Sequence, residues 1–135
     1  MSFGKKKLVT SALPYVHGIP HLGNLSGSIL PADIYHRFLD VRGLENYYFC
    51  GSDVHGTPSA LAAMEEGEEP KEFTQKQHRK IKSVLEEFNI DFTHYSQTHT
   101  SYNREQTQKM FKQLYRNGYI AEKTQNLPYC RNDER

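Results

Sequence analysis

The chain has 135 residues, enough for one hydrophobic core. Its 17 Lys and Arg residues nearly balance its 16 Asp and Glu residues, and a net charge of +1 provides no overall basic field for nucleic acid. No apolar run reaches the roughly 18 residues of a membrane-spanning helix, and two cysteines do not make a disulfide framework. The charged residues 1–7 are not followed by the apolar core and cleavage site of a signal peptide, so we expect a cytoplasmic protein.

The first predicted strand, residues 7–13, is an apolar run without alternation, which predicts burial on both faces as in a parallel sheet. A turn rich in Pro and Gly follows, and it carries His17, His21 and Asn24. Where a strand turns into a helix start, the first backbone N–H groups lack partners and the helix dipole favours an anion. The pattern therefore predicts a phosphate site, and the alternative is a turn with solvated polar residues.

The first predicted helix covers residues 22–41. Pro31 lies inside it and should cause a kink or a break, because proline lacks a backbone donor. Gly43 is the expected C-terminal stop. Apolar residues at spacings of three and four line one face of this helix: Leu22, Leu25, Ile29, Ala32, Tyr35 and Leu39.

A second strand is predicted over residues 46–50, which gives the strand–helix–strand order of a nucleotide-binding α/β sheet. No Gly-x-Gly-x-x-Gly follows the first strand, which disfavours an ordinary dinucleotide fold. No Gly-Lys-Ser/Thr loop is present either, which disfavours a phosphate loop of the Walker type.

The polar block at residues 51–58 follows this second strand. Ligands bind beyond the carboxyl ends of parallel strands, so Asp53 should share a sheet edge with His21 and can pair with a substrate ammonium. The alternative is that Asp53 caps the next helix. Thr57 is the better expected N-cap, with Pro58 at the first helical position, and this leaves Asp53 free for a ligand.

Two further helices and a strand are predicted before residue 100: a short helix over residues 58–66, a longer one from Pro70, and a strand over residues 93–98. His78 and Arg79 are expected on the surface. The buried face of the longer helix is predicted from its spacing, and its opposite face is expected to be solvated. The buried set is Phe73, Gln77, Ile81, Val84, Leu85 and Phe88, and the solvated set is Lys71, Lys76, Lys82 and Glu86.

A last helix should begin near Thr100 or Ser101 and end at Asn117–Gly118. Its expected buried stripe is Met110, Phe111, Leu114 and Tyr115. The remaining residues are predicted to form a hairpin, with strands over 119–123 and 125–130.

The turn from Ala12 to Asn24 resembles the "HIGH" signature of class I aminoacyl-tRNA synthetases in its Pro-His-Leu-Gly-Asn-Leu string. Asn24 stands where the signature has its last His, a variant that occurs within the family. The block from Cys50 to Pro58 resembles a block of the methionyl-tRNA synthetases, whereas the isoleucyl, valyl and leucyl relatives have a different sequence at this place. Together the two matches make the chain similar to the methionyl family.

The resemblance implies an α/β fold: half of a Rossmann-like, parallel-sheet nucleotide-binding domain in residues 1–118, and the start of the connective-peptide insertion in residues 119–135. The rest of the insertion, the second half of the sheet, the lysine loop and an anticodon-binding domain are not in the sequence. We therefore expect an N-terminal piece of a longer enzyme. Cys130 has Asp133 where a Cys-x-x-Cys knuckle needs its second cysteine, so no zinc is expected here although the family often carries it.

The resemblance also implies a reaction: methionine and ATP, with Mg²⁺, give methionyl-adenylate, and the methionyl group then passes to tRNA(Met). His21 and Asn24 would be catalytic, donating to the phosphates, and Asp53 would bind the methionine ammonium. His17 stands where relatives often carry Asn, and its role stays open. The other implied contacts are Pro14 and Gly23 to ATP, with Gly23 letting adenine approach the backbone, and Ala12, Leu13 and Tyr15 to methionine.

Two other functions stay open at this point. The chain can be a catalytically inactive binding fragment associated with a nucleotide or tRNA, or it can belong to another class I synthetase or to a related nucleotidyltransferase. The block at residues 50–58 disfavours the nucleotidyltransferase. Alone, the chain is expected to catalyse no aminoacylation and to self-associate through an exposed sheet edge, because its first strand would lack neighbours.

Overall fold

The computed structural model describes residues 6–132, which divide into two compact units after Ser101. The first unit contains three strands: β1 (Lys7–Thr10), β2 (Asn46–Ser52) and β3 (His94–Gln97). Its helices are α1 (Leu22–Asn24), a π-helical segment (Leu25–Ile29), α2 (Leu30–Val41), α3 (Thr57–Glu65) and α4 (Pro70–Glu87). Helix α5 (Ser101–Arg116) belongs to the second unit except for its first residue.

The three strands form a parallel sheet in the order β1-β2-β3, with Val9 beside Tyr48 and Cys50 beside Tyr95. Parallel strands connected through helices are the predicted βαβ arrangement, which is confirmed. The order also leaves β1 at an edge of the sheet within the described residues.

The core lies between one face of the sheet and the helices. Tyr48 is fully buried at its centre, donates to the Ile29 carbonyl at 3.0 Å, and has a pKa raised to about 12, chiefly by burial. The surrounding apolar residues come from all layers of this unit: Val9, Cys50, Ile29, Leu39, Ile81 and Leu85.

The prediction that the first strand is buried on both faces is wrong. Val9 is buried, but Leu8 is 65% exposed and Phe49 on the neighbouring strand is also exposed. The core helices pack on the Val9 side, and the described residues leave the Leu8 side open. The strand also ends at Thr10 rather than Leu13, since the Ala12 N–H donates to the Ser28 hydroxyl at 2.7 Å instead of to a strand.

Directly before Pro31, where a kink or a break is predicted, the helix contains a π-helical turn and does not break. The Leu30 N–H bonds to the carbonyl of Leu25, five residues back, directly before the proline. One inserted residue accommodates the missing donor without ending the helix. Gly43 stops α2 as predicted: its φ is +64°, and the Leu44 N–H reaches the Leu39 carbonyl at 3.0 Å, as in a Schellman motif.

Three details of the middle of the chain differ from prediction. The N-cap of α3 is Gly56 rather than Thr57, because the chain turns at a φ of +122° that only glycine adopts readily. Phe88 lies beyond the end of α4 and is exposed. His78 is half-buried rather than on the surface, since its ring stacks on Tyr95 with centroids 5.5 Å apart.

The second unit overturns two predictions. Helix α5 has nearly its predicted bounds, but it contains no buried residue, and Met110, Phe111, Leu114 and Tyr115 are all exposed. Residues 119–132 contain no strand, so the predicted hairpin is wrong. The predicted strands over residues 119–123 and 125–130 are not joined by an Asn-Gly type of turn, and an isolated hairpin is only marginally stable in water.

Of the helices in residues 6–132, none has the length and apolar character that a membrane crossing requires.

Candidate active site

The carboxyl ends of β1 and β2 converge on one short bridge. Asp53 donates its N–H to the Pro14 carbonyl at 2.8 Å, and the Val16 N–H donates to the Asp53 carbonyl at 3.3 Å. These two bonds pair Tyr15 with Asp53 in parallel, beyond the regular strands. Val16 is fully buried and anchors the turn. The segment predicted to contact methionine and the predicted ammonium ligand therefore share one sheet edge.

His21 and Asn24 form a reciprocal capping box at the start of the helix. The Asn24 N–H donates to Nδ1 of His21 at 3.3 Å, and the His21 N–H donates to Oδ1 of Asn24 at 3.2 Å. His21 has the extended backbone of an N-cap, with φ −79° and ψ 168°. The two residues predicted to be catalytic are thus held together by the fold itself.

The capping box decides which polar atoms remain for a ligand. Nδ1 of His21 accepts a hydrogen bond, so the proton of the neutral ring is on Nε2, which can donate. Oδ1 of Asn24 is also an acceptor in the box, which leaves the Nδ2 hydrogens of this amide to donate. Both side chains therefore present donors, as an anionic ligand requires.

The absence of a side chain at Gly23 leaves room for the ring of His21. A Cβ atom at Gly23 would lie 2.9 Å from Cε1 and 3.0 Å from Nδ1 of that ring. Any larger residue would displace the imidazole from its capping position. Sequence reasoning assigned Gly23 to the approach of adenine and missed this intramolecular reason.

Asp53 does not cap a helix, in agreement with the prediction that its carboxylate is left for another role. Oδ1 of Asp53 accepts from the Thr98 hydroxyl at 3.3 Å, and the same hydroxyl accepts from the Val54 N–H at 3.0 Å. Thr98 therefore orients the carboxylate from the end of β3. Sequence reasoning missed Thr98, although a hydroxyl directly after the third strand was a usable signal.

The remaining predicted contact residues surround this bridge. Ala12, Leu13 and Tyr15 are exposed, whereas Pro14 is buried. The Tyr15 ring lies near that of His17, with centroids 6.1 Å apart. Exposed apolar side chains beside a carboxylate are suited to an amphiphilic ligand such as an amino acid.

Among residues 6–132, no cluster of three or more His, Cys, Asp or Glu side chains could hold a metal ion. Cys130 is a free, exposed thiol, and Asp133 lies outside the described residues. One thiolate does not fit a closed tetrahedral zinc site.

Two comparisons with solved structures concern the fold. The chain superposes on the LeuRS of Agrobacterium radiobacter K84, solved with tRNA and LeuAMS, with a TM-score of 0.79, 28% identity, and coverage of 87% of this chain and 15% of that one. It superposes on the methionyl-tRNA synthetase of Mycobacterium tuberculosis, solved with methionyl-adenylate, with a TM-score of 0.81, 23% identity, and coverage of 84% and 22%. The sheet with its helices is thus the Rossmann-like catalytic fold of these synthetases.

The sequence comparisons are more specific. Proteins named methionine–tRNA ligase from Thermofilum pendens and Acaryochloris marina are 42% and 45% identical over 96% and 95% of this chain. A cytoplasmic one from Caenorhabditis elegans is 40% identical over 98% of it. The chain spans 23% of the length of the first two relatives and 14% of the third. The family model "tRNA synthetases class I (M)" matches residues 7–135, and the chain therefore belongs to the class I tRNA synthetases of the methionyl group.

Proposed function

We propose that the protein containing this chain is a methionine–tRNA ligase. It activates methionine with ATP, which gives methionyl-adenylate and releases pyrophosphate, and then transfers the methionyl group to tRNA(Met) with release of AMP. The chain supplies the first part of the site where the adenylate forms. In this proposal Mg²⁺ binds to the phosphates of ATP as their counter-ion, and the described residues of this chain do not hold it.

The capping box of His21 and Asn24 is the observation that carries the proposal. It leaves Nε2–H of His21 and the Nδ2 hydrogens of Asn24 as donors beside the start of a helix. Attack of a carboxylate on the α-phosphorus builds charge on the phosphate oxygens, and positioned donors stabilise that charge. We propose that these two side chains do so, with Pro14 and Gly23 in contact with ATP.

The bridge between Tyr15 and Asp53 supports an amino acid as the second substrate. In the proposed complex the Asp53 carboxylate pairs with the substrate ammonium, while Ala12, Leu13 and Tyr15 contact the methionine side chain. The bond from Thr98 leaves Asp53 with further acceptor capacity, since an ionised carboxylate accepts at both of its oxygens.

Methionine is proposed over other amino acids because of the named relatives. Those 40–45% identical to this chain are named methionine–tRNA ligases, and a solved relative contains methionyl-adenylate. Because the chain is also 28% identical in sequence to a LeuRS, leucine is the amino acid to test against methionine.

The test is ATP–pyrophosphate exchange by the product of the complete gene, with methionine and leucine measured side by side. We expect exchange that depends on methionine, with kcat/KM for leucine lower by two orders of magnitude or more. Exchange that favours leucine would assign another class I specificity. No exchange with any amino acid, from a protein that binds ATP, would support the alternative of a catalytically inactive nucleotide-binding protein.

A further inference from the structure

A cavity of about 290 Å³ lies at the starts of helices α3 and α4, apart from the His21 and Asn24 pair. Its walls come from Gly56 and the first turn of α3, from the first turns of α4, and from the loops after β2 and β3. The residues that line it are Val54, His55, Gly56, Ser59, Ala60, Pro70, Lys71, Thr74 and His99. The proposed adenylation chemistry uses none of them.

Two helix N-termini meet at this cavity, and neither has a side-chain cap. The N-cap residues are Gly56 for α3 and Glu69 for α4, and neither makes a side-chain cap hydrogen bond. The first N–H groups of a helix have no acceptor inside the helix and carry the positive end of its dipole. Both helices therefore favour negative charge in the same space.

Ser59 gives an independent indication of a ligand. This residue lines the cavity, is 2% exposed, and its hydroxyl has no hydrogen-bond partner within the described structure. Buried hydroxyls are almost always paired, because an unpaired one destabilises the fold. A ligand with acceptor oxygens would supply the missing partner.

The charges around the cavity select the kind of ligand. Lys71 lines it, and the rings of His55 and His99 lie together with centroids 5.2 Å apart, so all three can donate to an acceptor. No acidic residue lines the cavity, and Glu72 in the first turn of α4 is not among its walls. The described residues also lack a cluster of three metal ligands here or elsewhere.

We propose that this cavity is a second anion site, which binds a phosphate group. The phosphate can be a free ion, or it can be one phosphate of an RNA chain, since both present the same oxygens to these donors. This inference goes beyond the proposed function and does not depend on methionine or on adenylate formation.

The test uses the 135-residue chain, with its imidazole signals followed by NMR while inorganic phosphate is added at constant ionic strength against chloride. We expect saturable shifts at His55 and His99 and none at the exposed His94. Lys71→Gln should weaken phosphate binding about tenfold or more, because it removes a charge-assisted donor. Lys80→Gln, on the exposed part of the same helix, is the matched control and should leave binding unchanged.

Ser59→Ala distinguishes a ligand contact from a structural role. Removal of an unpaired hydroxyl should leave the urea midpoint unchanged or higher, while phosphate binding falls several-fold. Ser83→Ala, an exposed position on α4, should change neither quantity. Unchanged phosphate binding in both Ser59→Ala and Lys71→Gln would overturn the proposal.

A short RNA that ends in CCA identifies the source of the phosphate. Tighter binding of this RNA than of inorganic phosphate, with the same dependence on Lys71, would assign the site to an RNA phosphate. Equal or weaker binding of the RNA would assign it to the free ion. If neither shifts His55 and His99, the cavity is not an anion site.

Discussion

His21 has two roles in one side chain, and suitable substitutions separate them. Its Nδ1 caps the helix, and its Nε2–H is left to donate. In the complete enzyme, His21→Ala should lower the adenylation rate about 10²–10³-fold with little change in ATP binding, as for the loss of one transition-state donor. Single-turnover formation of adenylate measures this rate.

The control is His21→Asn, because asparagine is a good N-cap but lacks a donor at the Nε2 position. We expect His21→Asn to retain stability and still lose rate, whereas His21→Ala should also lose about 1 kcal/mol of stability. A rate within threefold of the unmodified enzyme in both variants would contradict the catalytic role.

Asp53 is the residue that should distinguish methionine from ATP. Asp53→Asn keeps an acceptor for the Thr98 hydroxyl but removes the charge, so the bridge to Tyr15 should survive. A charge-assisted bond is worth about 1.5–3 kcal/mol, which predicts a tenfold or larger rise in the KM for methionine. Steady-state exchange kinetics should show a much smaller effect on ATP. Equal effects on both substrates would indicate a structural role instead.

His78 makes stability depend on pH. Burial, with smaller contributions from Lys82 and Arg79, lowers the pKa of this imidazole, whose Nδ1 lies 3.0 Å from the Ser52 hydroxyl. A lowered pKa means that the unfolded chain binds the proton more readily, so the contribution of His78 is complete above the ordinary pKa of 6.5 and is lost as pH falls below it. Urea unfolding from pH 8 to 5 should show this loss.

His78→Gln should reduce the slope of stability against pH in that range. The exposed residue His94 provides the comparison, and His94→Gln should leave the slope close to that of the unmodified chain. Identical slopes for His78→Gln and the unmodified chain would show that the stacked ring does not control the titration.

At the scale of elements, the helical segment from α1 to α2 depends on glycines of two kinds. Gly43 ends α2 at a φ of +64°, whereas Gly27 lies in the π-helical segment with open space around it. Gly43→Ala should destabilise by about 1–2 kcal/mol, because a Cβ is strained in the left-handed region. Gly27→Ala should stabilise by up to about 1 kcal/mol, since alanine has the better helix propensity. Equilibrium urea unfolding would reveal these opposite signs, and equal signs would contradict the assignment.

At the scale of the whole molecule, we expect the isolated chain to self-associate because of the open edge and face of its sheet. Strand β1 is an edge strand within the described residues, and the exposed side chains of Leu8 and Phe49 lie on the open face beside it. Unpaired edges and apolar patches recruit other chains. Sedimentation equilibrium at micromolar concentration should detect dimers or larger species, and Leu8→Lys should shift the chain toward monomer. A clean monomer before substitution would contradict this prediction.

The same isolated chain should form no methionyl-adenylate and therefore show no aminoacylation. It spans 23% of the length of the Thermofilum and Acaryochloris relatives, and it does not contain the lysine loop expected to hold the ATP phosphates. A radiolabelled exchange assay on the sedimentation sample tests this, with the complete gene product as the positive control. Exchange at the rate of the complete protein would show that residues 1–135 suffice.

The sequence alone determined the local features of this protein. The strand–turn–helix order, the proline irregularity, the glycine stop at Gly43 and the meeting of His21 with Asn24 all depend on residues close together in the chain. Such short-range features are set by backbone sterics and by which donors and acceptors lie within a few residues. The family signature was readable for the same reason, since its residues are nearly contiguous.

Only the tertiary structure decided which apolar faces are covered. Leu8 and the stripe on α5 have the spacing of core residues, yet they are exposed, because burial requires a second surface and a sequence period does not supply one. The contacts of Thr98 with Asp53 and the stacking of His78 on Tyr95 likewise join residues distant in the chain. These depend on how the strands are placed side by side, which no local pattern encodes.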